Sequence, residues 1–274
     1  MSTRYFLSAA LALILLSLGA LSAEQTDYAA SQAFADSLFY SNELSSSILE
    51  YKRINFLSPG NPNFEQNRFR IVQSLYFLED YQSVVRELNS DKLILSDHPQ
   101  AGYFYAKSLS NLDLIDLSNQ FILQNESADS SEDLRYLLML NYLKQDKVEL
   151  AGSMLESEHH LFEADDYLHQ RLGEYQKRRS KSMALPNVLN IVPGLGYLPL
   201  KSYQNALSTF ITTGFMYLTA RELYKKDLPF TGTFFVSAGV IFHLGSYVGI
   251  NRYNERIKSA YRDDLIRYIE EKLP

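Results

Sequence analysis

From Asp27 to about His160, apolar residues return at spacings of three and four between short polar breaks, and almost no stretch alternates with a period of two. Spacings of three and four gather side chains on one face of a helix, whereas a half-buried strand needs alternation. This region is therefore predicted to be helical throughout. Two uncharged runs follow, nineteen residues from Ser202 to Ala220 and twenty-four from Leu228 to Asn251. Both match the roughly 20 residues that a membrane-crossing helix needs, predicting spans at about 202–220 and 228–250. The first run is rich in Thr, and pairing in a hairpin would hide Thr209, Thr213 and Thr219 against the second. Beyond Arg252, Ile257, Tyr261, Leu265, Tyr268 and Ile269 recur at helical spacing among charges, predicting an amphipathic helix over 255–274. Such a helix can lie on the membrane face or dock on the helices before it.

The helical region repeats. Ala35, Leu38, Ser47, Tyr51, Ile54 and Pro59 stand at relative offsets 0, 3, 12, 16, 19 and 24. The register returns at Val72, Leu75, Val84 and Leu88, then at Ala106, Leu109, Ser118 and Ile122, and again at Met139, Tyr142, Ala151 and Leu155. The second-helix small positions 47, 84, 118 and 151 are thus spaced by 37, 34 and 33 residues. In period and in placement of small, apolar and proline positions the pattern resembles the tetratricopeptide (TPR) repeat. That resemblance implies paired helices A and B stacked into an α-solenoid over residues 24–182, each unit burying a face against the next. Val84 stands where the pattern prefers a small residue.

Local signals mark the breaks. Ser58-Pro59-Gly60-Asn61-Pro62 interrupts the first unit from the second, with Pro62 placed for a first helical turn, and Asp97-His98-Pro99 separates the second from the third. Ser130-Ser131-Glu132-Asp133 has capping-box spacing before the fourth, and a charged helix from Phe162 to about Ser180 would close the array.

Residues 1–23 carry Arg4, then an uncharged run to Ala23 that ends in Gly19-Ala20-Leu21-Ser22-Ala23. A basic start, an apolar stretch and a small-residue exit make a signal peptide, with cleavage after Ala23 or Ala20; the alternative is an uncleaved anchor. Either sends residue 24 onward across a membrane. A net charge of −6 without a long basic block leaves no footprint for nucleic acid. The absence of Cys removes disulfides, thiolate metal sites and a cysteine nucleophile.

Between the two uncharged runs, Arg221 to Asp227 holds three basic residues and is expected on the cytoplasmic side, with the repeats outside. Arg178, Arg179, Lys181 and Arg252 flank the other ends and pull the opposite way. Ahead of the first run stands Pro193-Gly194-Leu195-Gly196, and behind the second Asn251-Arg252-Tyr253-Asn254. Across roughly residues 185–254 these resemble a small membrane domain of bacterial envelope proteins, often found behind TPR-like repeats. Its marks are Pro-Gly-x-Gly before two membrane helices and an Asn/Arg-Tyr-Asn segment after them. Here Tyr197-Leu198-Pro199 replaces its usual Gln and Tyr-x-Gly. The resemblance implies a membrane hairpin domain over 183–254 and carries no chemistry. Two glycines beside a proline suit a tight turn with close backbone approach at the bilayer edge; an ordinary loop is the plainer alternative.

The candidate chemistry is sparse. Gly194-Leu195-Gly196 lacks the preceding strand and the third glycine of a nucleotide loop. His159, His160, Glu163, Asp166 and His169 make one His/carboxylate cluster, without His-Glu-x-x-His, that reads as a solvated helix end before it reads as a metal site. His243 lies in the second span, on a stripe with Gly232, Val236, Gly239 and Ser246. An ionisable residue at that depth is a functional candidate by default, and a hydrogen bond to a Thr of the first span is the blander role. Gly245 and Gly249 form a GxxxG step suited to a helix contact or a homo-oligomer seam. In predicted A helices, Phe69, Gln73, Tyr103 and Lys107 are candidates for a partner-binding groove.

The expected architecture is all-α: a TPR-like α-solenoid, a two-helix transmembrane hairpin and a C-terminal amphipathic helix. The expected function is a non-enzymatic scaffold at the bacterial inner membrane. Its periplasmic repeats would bind protein or peptide partners, with membrane lipid around the hairpin, no cofactor and no metal. The alternative is a subunit of a transport or membrane-insertion assembly in which the hairpin is the working part.

Overall fold

The computed structural model describes residues 28–90, 98–125, 132–157, 162 and 165–274. The signal-like segment 1–23, Asp97, Ser130-Ser131 and the residues His159, His160 and Glu163 lie outside them. No strand occurs among the described residues. The chain divides into two compact units, 1–141 and 142–274. The sequence pattern placed a domain limit at 182. Unit two holds the helix of 148–157 with everything after it, and in it the helix of 229–272 packs on that of 166–179, which packs on 148–157.

Unit one is a solenoid-like stack of short helices: α1 (28–40), α2 (Leu44–Leu57), α3 (Phe64–Phe77), α4 (Tyr81–Ser90), α5 (Pro99–Asn111), α6 (Ile115–Gln124) and most of α7 (Glu132–Lys144). Packing runs between neighbours in sequence, α2 on α3, α3 and α4 on α5, α5 on α6, as stacking repeats require. Ala35, Leu38, Ser47, Tyr51 and Ile54 are buried, and so are the matching residues of the second and third repeats. In the fourth, Met139, Ala151 and Leu155 are buried and Tyr142 half-buried.

The backbone repeats with the sequence. Asn42, Glu79, Asp113 and Asp146 are left-handed, with φ of 65, 59, 62 and 57°, spaced by the same 37, 34 and 33 residues. In the first turn the Asn42 amide donates to the Phe39 carbonyl at 3.1 Å and the Glu43 amide to the Leu38 carbonyl at 2.8 Å. The same pair of bonds closes the turns at Glu79, Asp113 and Asp146. Each is a Schellman closure, which satisfies carbonyls orphaned by the end of helix A and aims the chain into helix B.

Prolines act as stops and starts. Helix α2 ends at Leu57, two residues before Pro59, since the residue before a proline is pushed out of the helical region. Pro99 opens α5. Pro62 was expected in a first turn but lies before α3, which starts at Phe64.

Unit two continues with α8 (Val148–Ser157), α9 (Asp166–Arg179), α10 (Ala184–Leu189), a 3-10 turn (Leu195–Leu200), α11 (Tyr203–Lys225) and α12 (Pro229–Lys272). A fifth Schellman closure, with Asp227 at φ 55°, ends α11. Helices α11 and α12 then pack antiparallel, Tyr224 over Gly232 and Tyr217 over Gly239. Among the described residues, α12 alone is long and apolar enough to cross a membrane by length and composition. It runs unbroken for 44 residues, so the amphipathic segment 255–274 is its last half rather than a separate helix. Neither Gly nor Pro occurs between Ile250 and Lys272 to stop it. That half docks on α9. Leu265 and Ile269 are fully buried, the Tyr268 hydroxyl donates to Asp165 at 2.6 Å, and Arg171 meets Asp264 at 2.8 Å.

Candidate functional site

The apolar surface of unit two is its most distinctive feature. Leu207, Phe210, Ile211, Phe215 and Leu218 of α11 are exposed, as are Phe234, Ile241, Phe242 and Leu244 of α12, while Phe230 is 90% exposed. Ahead of them Leu185, Val188 and Ile191 are exposed as well. Exposed apolar surface on this scale marks a site of interaction with a partner or a membrane.

Beneath it the Pro-Gly-x-Gly segment is a packed clasp. Gly194 has φ 89°, and a Cβ there would sit 2.4 Å from the Ala206 carbonyl oxygen. A Cβ on Gly196 would meet Ile250 Cδ1 at 2.4 Å and the Pro186 carbonyl oxygen at 2.5 Å, and one on Gly249 would meet the Tyr197 hydroxyl at 2.2 Å. Only glycine fits the left-handed, crowded backbone at Gly194. Asn190, fully buried, knots the clasp. Its amide nitrogen donates to Ser246 Oγ at 2.6 Å, its amide oxygen accepts from the Gly194 N–H at 3.1 Å, and its carbonyl accepts from His243 Nε2 at 2.7 Å.

His243 is thus held by a backbone carbonyl, with Nε2 carrying the proton. The expected Thr partner is not used. Thr213 is fully buried between the helices, but its hydroxyl has no hydrogen-bond partner among the described residues. Asn190 reaches His243 first because the clasp folds the chain before α11 back onto α12. Gly245 faces open space and Gly249 receives Tyr197, so the two ends of the GxxxG step do different things.

In unit one the four groove candidates separate. Phe69 stacks on His98 with ring centroids 4.2 Å apart, and Phe69 and Tyr103 are both buried. Gln73 and Lys107 remain half-exposed. Residues not singled out from the sequence gather around Gln73. Arg70 donates to Gln73 at 3.1 Å and to the Tyr40 hydroxyl at 3.0 Å, and its guanidinium lies over the Phe39 ring at 4.5 Å. Tyr40 is 73% exposed and Phe77 55%. These two aromatics are 37 residues apart, the repeat spacing itself, and that register was the available signal.

Of the His/carboxylate cluster, Asp166 opens α9 and His169 Nε2 lies 3.2 Å from the Phe162 carbonyl oxygen. No group of three metal-ligating side chains occurs among the described residues.

These observations define a class: an all-helical protein with a repeat-like solenoid of short helices and one long apolar helix towards the C-terminus. No protein-family model, no curated protein and no solved structure matches the chain.

Proposed function

We propose that this protein is a non-enzymatic, membrane-tethered scaffold of a bacterial-type cell envelope. In this reading α11 and α12 cross the inner membrane as a hairpin, and the repeats stand in the periplasm and hold a protein or peptide partner. The carrying observation is the exposed apolar belt of α11 and α12 in a chain whose other unit is a helical repeat stack. An apolar belt of this kind suits lipid, and a repeat stack offers an extended surface for a chain partner. The signal-like residues 1–23 support export. The Arg70, Gln73, Tyr40 and Phe77 patch is the proposed contact surface, combining aromatic area with a charged, multi-donor group.

The reading is tested in two parts on the full chain. Cysteine substitution is clean because the chain has none. A thiol at position 225 is expected to resist impermeant reagent from the periplasmic side, while one at position 77 reacts; the reverse pattern turns the topology over. A photo-crosslinker at Gln73 is expected to trap an envelope protein whose yield falls when Tyr40 and Phe77 become Ala. Yield unchanged by those substitutions removes the patch from the proposal.

The alternative makes the hairpin a working part of a transport or insertion assembly. The clasp accounts for His243 as a structural tie, which favours the scaffold.

A further inference from the structure

Where the Asp146 turn, α9 and α12 meet, they enclose a cleft of about 400 Å³. Arg179, Lys258 and Arg262 line it beside Asp146 and Glu255. These cations are unequally committed. Arg179 is bonded to Asp146 and also lies 3.5 Å from Glu149. Lys258 holds Glu255 at 3.0 Å, and that side chain is 68% exposed. Arg262 reaches the carboxylate of its chain neighbour Asp263 at 3.4 Å, the edge of hydrogen-bonding range. Two such contacts, from Nε and Nη2 to one Asp263 oxygen, use two of the five N–H donors of the guanidinium.

Two ties place this cleft at the end of the apolar pair. Lys258 follows the buried Ile250 by eight residues, about 12 Å along α12. Lys181, two residues after Arg179, donates to the Pro199 carbonyl at 3.1 Å, and α11 starts at Tyr203. Long basic side chains at such a place reach back towards the headgroup layer, whose phosphates suit planar guanidinium donors.

We propose that this cleft binds the phosphate of an anionic phospholipid, with Arg262 and Lys258 as its ligands. The proposal rests on the membrane reading above. Bound there, a headgroup would tie the repeat-side helix α9 and the α12 stem to the membrane surface as one piece. An anionic headgroup brings only its phosphate charge to these cations, whereas a zwitterionic one also brings an ammonium that would compete with Lys258 and Arg262 for Glu255 and Asp146.

The test uses the full-length protein in nanodiscs of phosphatidylcholine with and without phosphatidylglycerol, counting lipids retained after transfer to detergent by native mass spectrometry. Wild type is expected to retain phosphatidylglycerol over phosphatidylcholine. Lys258→Gln with Arg262→Gln should lower that retention about tenfold, the scale of a lost charged contact. Arg262→Lys should keep most of it, and Lys226→Gln, at the other end of the helices, all of it. Equal retention by the double variant, or no headgroup preference in wild type, overturns the proposal. Tight binding of glycerol 1-phosphate to wild type in detergent, without lipid preference, assigns the cleft to a soluble phosphate and overturns it too. Carbonate washing separates the two readings. A protein that stays embedded yet shows no preference fails only the cleft, whereas one that washes out fails the membrane assignment.

Discussion

At the residue scale, glycines that look alike in sequence carry different burdens. Gly194 and Gly196 are hemmed by backbone and by Ile250, whereas Gly245 has nothing within 4 Å of the point where a Cβ would stand. Gly194→Ala is therefore expected to destabilise unit two by about 1–3 kcal/mol through strain and overlap. Gly245→Ala should stabilise slightly, about 0.5–1 kcal/mol, because it sits mid-helix in open space. Thermal unfolding of the two purified variants checks the contrast, and equal effects would sink it. The cleft makes a second prediction. Burial first, and then the bond to Asp146, pushes the Tyr175 phenol up to about 12 from 10.0. Its stabilisation is whole below pH 10.0 and is lost as pH climbs through about 12. Asp146 behaves oppositely. Burial raises it, but the bonds from Tyr175 and Arg179 outweigh that and leave it below its ordinary 3.8. Its contribution is present above pH 3.8 and is lost as pH falls through the lower folded value. Unfolding temperature against pH should lose part of its alkaline decline in Tyr175→Phe and part of its acid decline in Asp146→Asn.

At the element scale, the repeat is a backbone device as much as a packing pattern. In the four repeat turns the left-handed residue stands five positions before the helix B position that the pattern keeps small, Asn42 before Ser47 and Asp146 before Ala151, with Val84 in that place after Glu79. In these four repeat turns the left-handed residues are Asn, Glu and Asp rather than Gly. Asn and Asp tolerate that conformation, whereas Glu has no local bond to favour it. Glu79→Gly is expected to stabilise the chain by about 1 kcal/mol, read as a higher unfolding temperature, and Asp113→Gly by less. A loss of stability in Glu79→Gly would mean that the unfolded-state entropy of glycine outweighs the relieved strain. Buried polar ties add to the same stack. Asn141 donates to Ser118 at 3.0 Å and to Asn119 at 2.9 Å, and accepts from Ser110 at 2.6 Å. The small residue in the third repeat is thus Ser for its hydroxyl as well as its size. Asn141→Leu should cost about 1–3 kcal/mol in thermal or denaturant unfolding, since it strands those buried partners.

At the scale of the whole molecule, the apolar belt is the property that most constrains where the protein can reside. Replacing Ile241 in its middle by Lys is expected to cost about 2.5–3.5 kcal/mol of insertion and to move protein from the carbonate-resistant membrane fraction into aggregates. An unchanged fraction would show that Ile241 does not face lipid. Much of this was legible in the chain. Helical periodicity, the 37, 34 and 33 spacing and the charge-free run of α12 are local or strictly periodic signals, and these depend on neighbours only within a turn or a repeat. What belonged to tertiary structure was the choice among equivalent faces. Sequence placed Phe69 and Tyr103 on helix A but not on which side, and packing put both in the core. It marked His243 as needing a partner, and only the folded clasp brought Asn190, 53 residues away, to 2.7 Å. It left the amphipathic segment free to lie on a membrane or dock, and the buried Leu265 and Ile269 against α9 made that choice. A helix face is written every three or four residues, but what it meets is set by contacts between segments far apart in the chain, which no local pattern encodes.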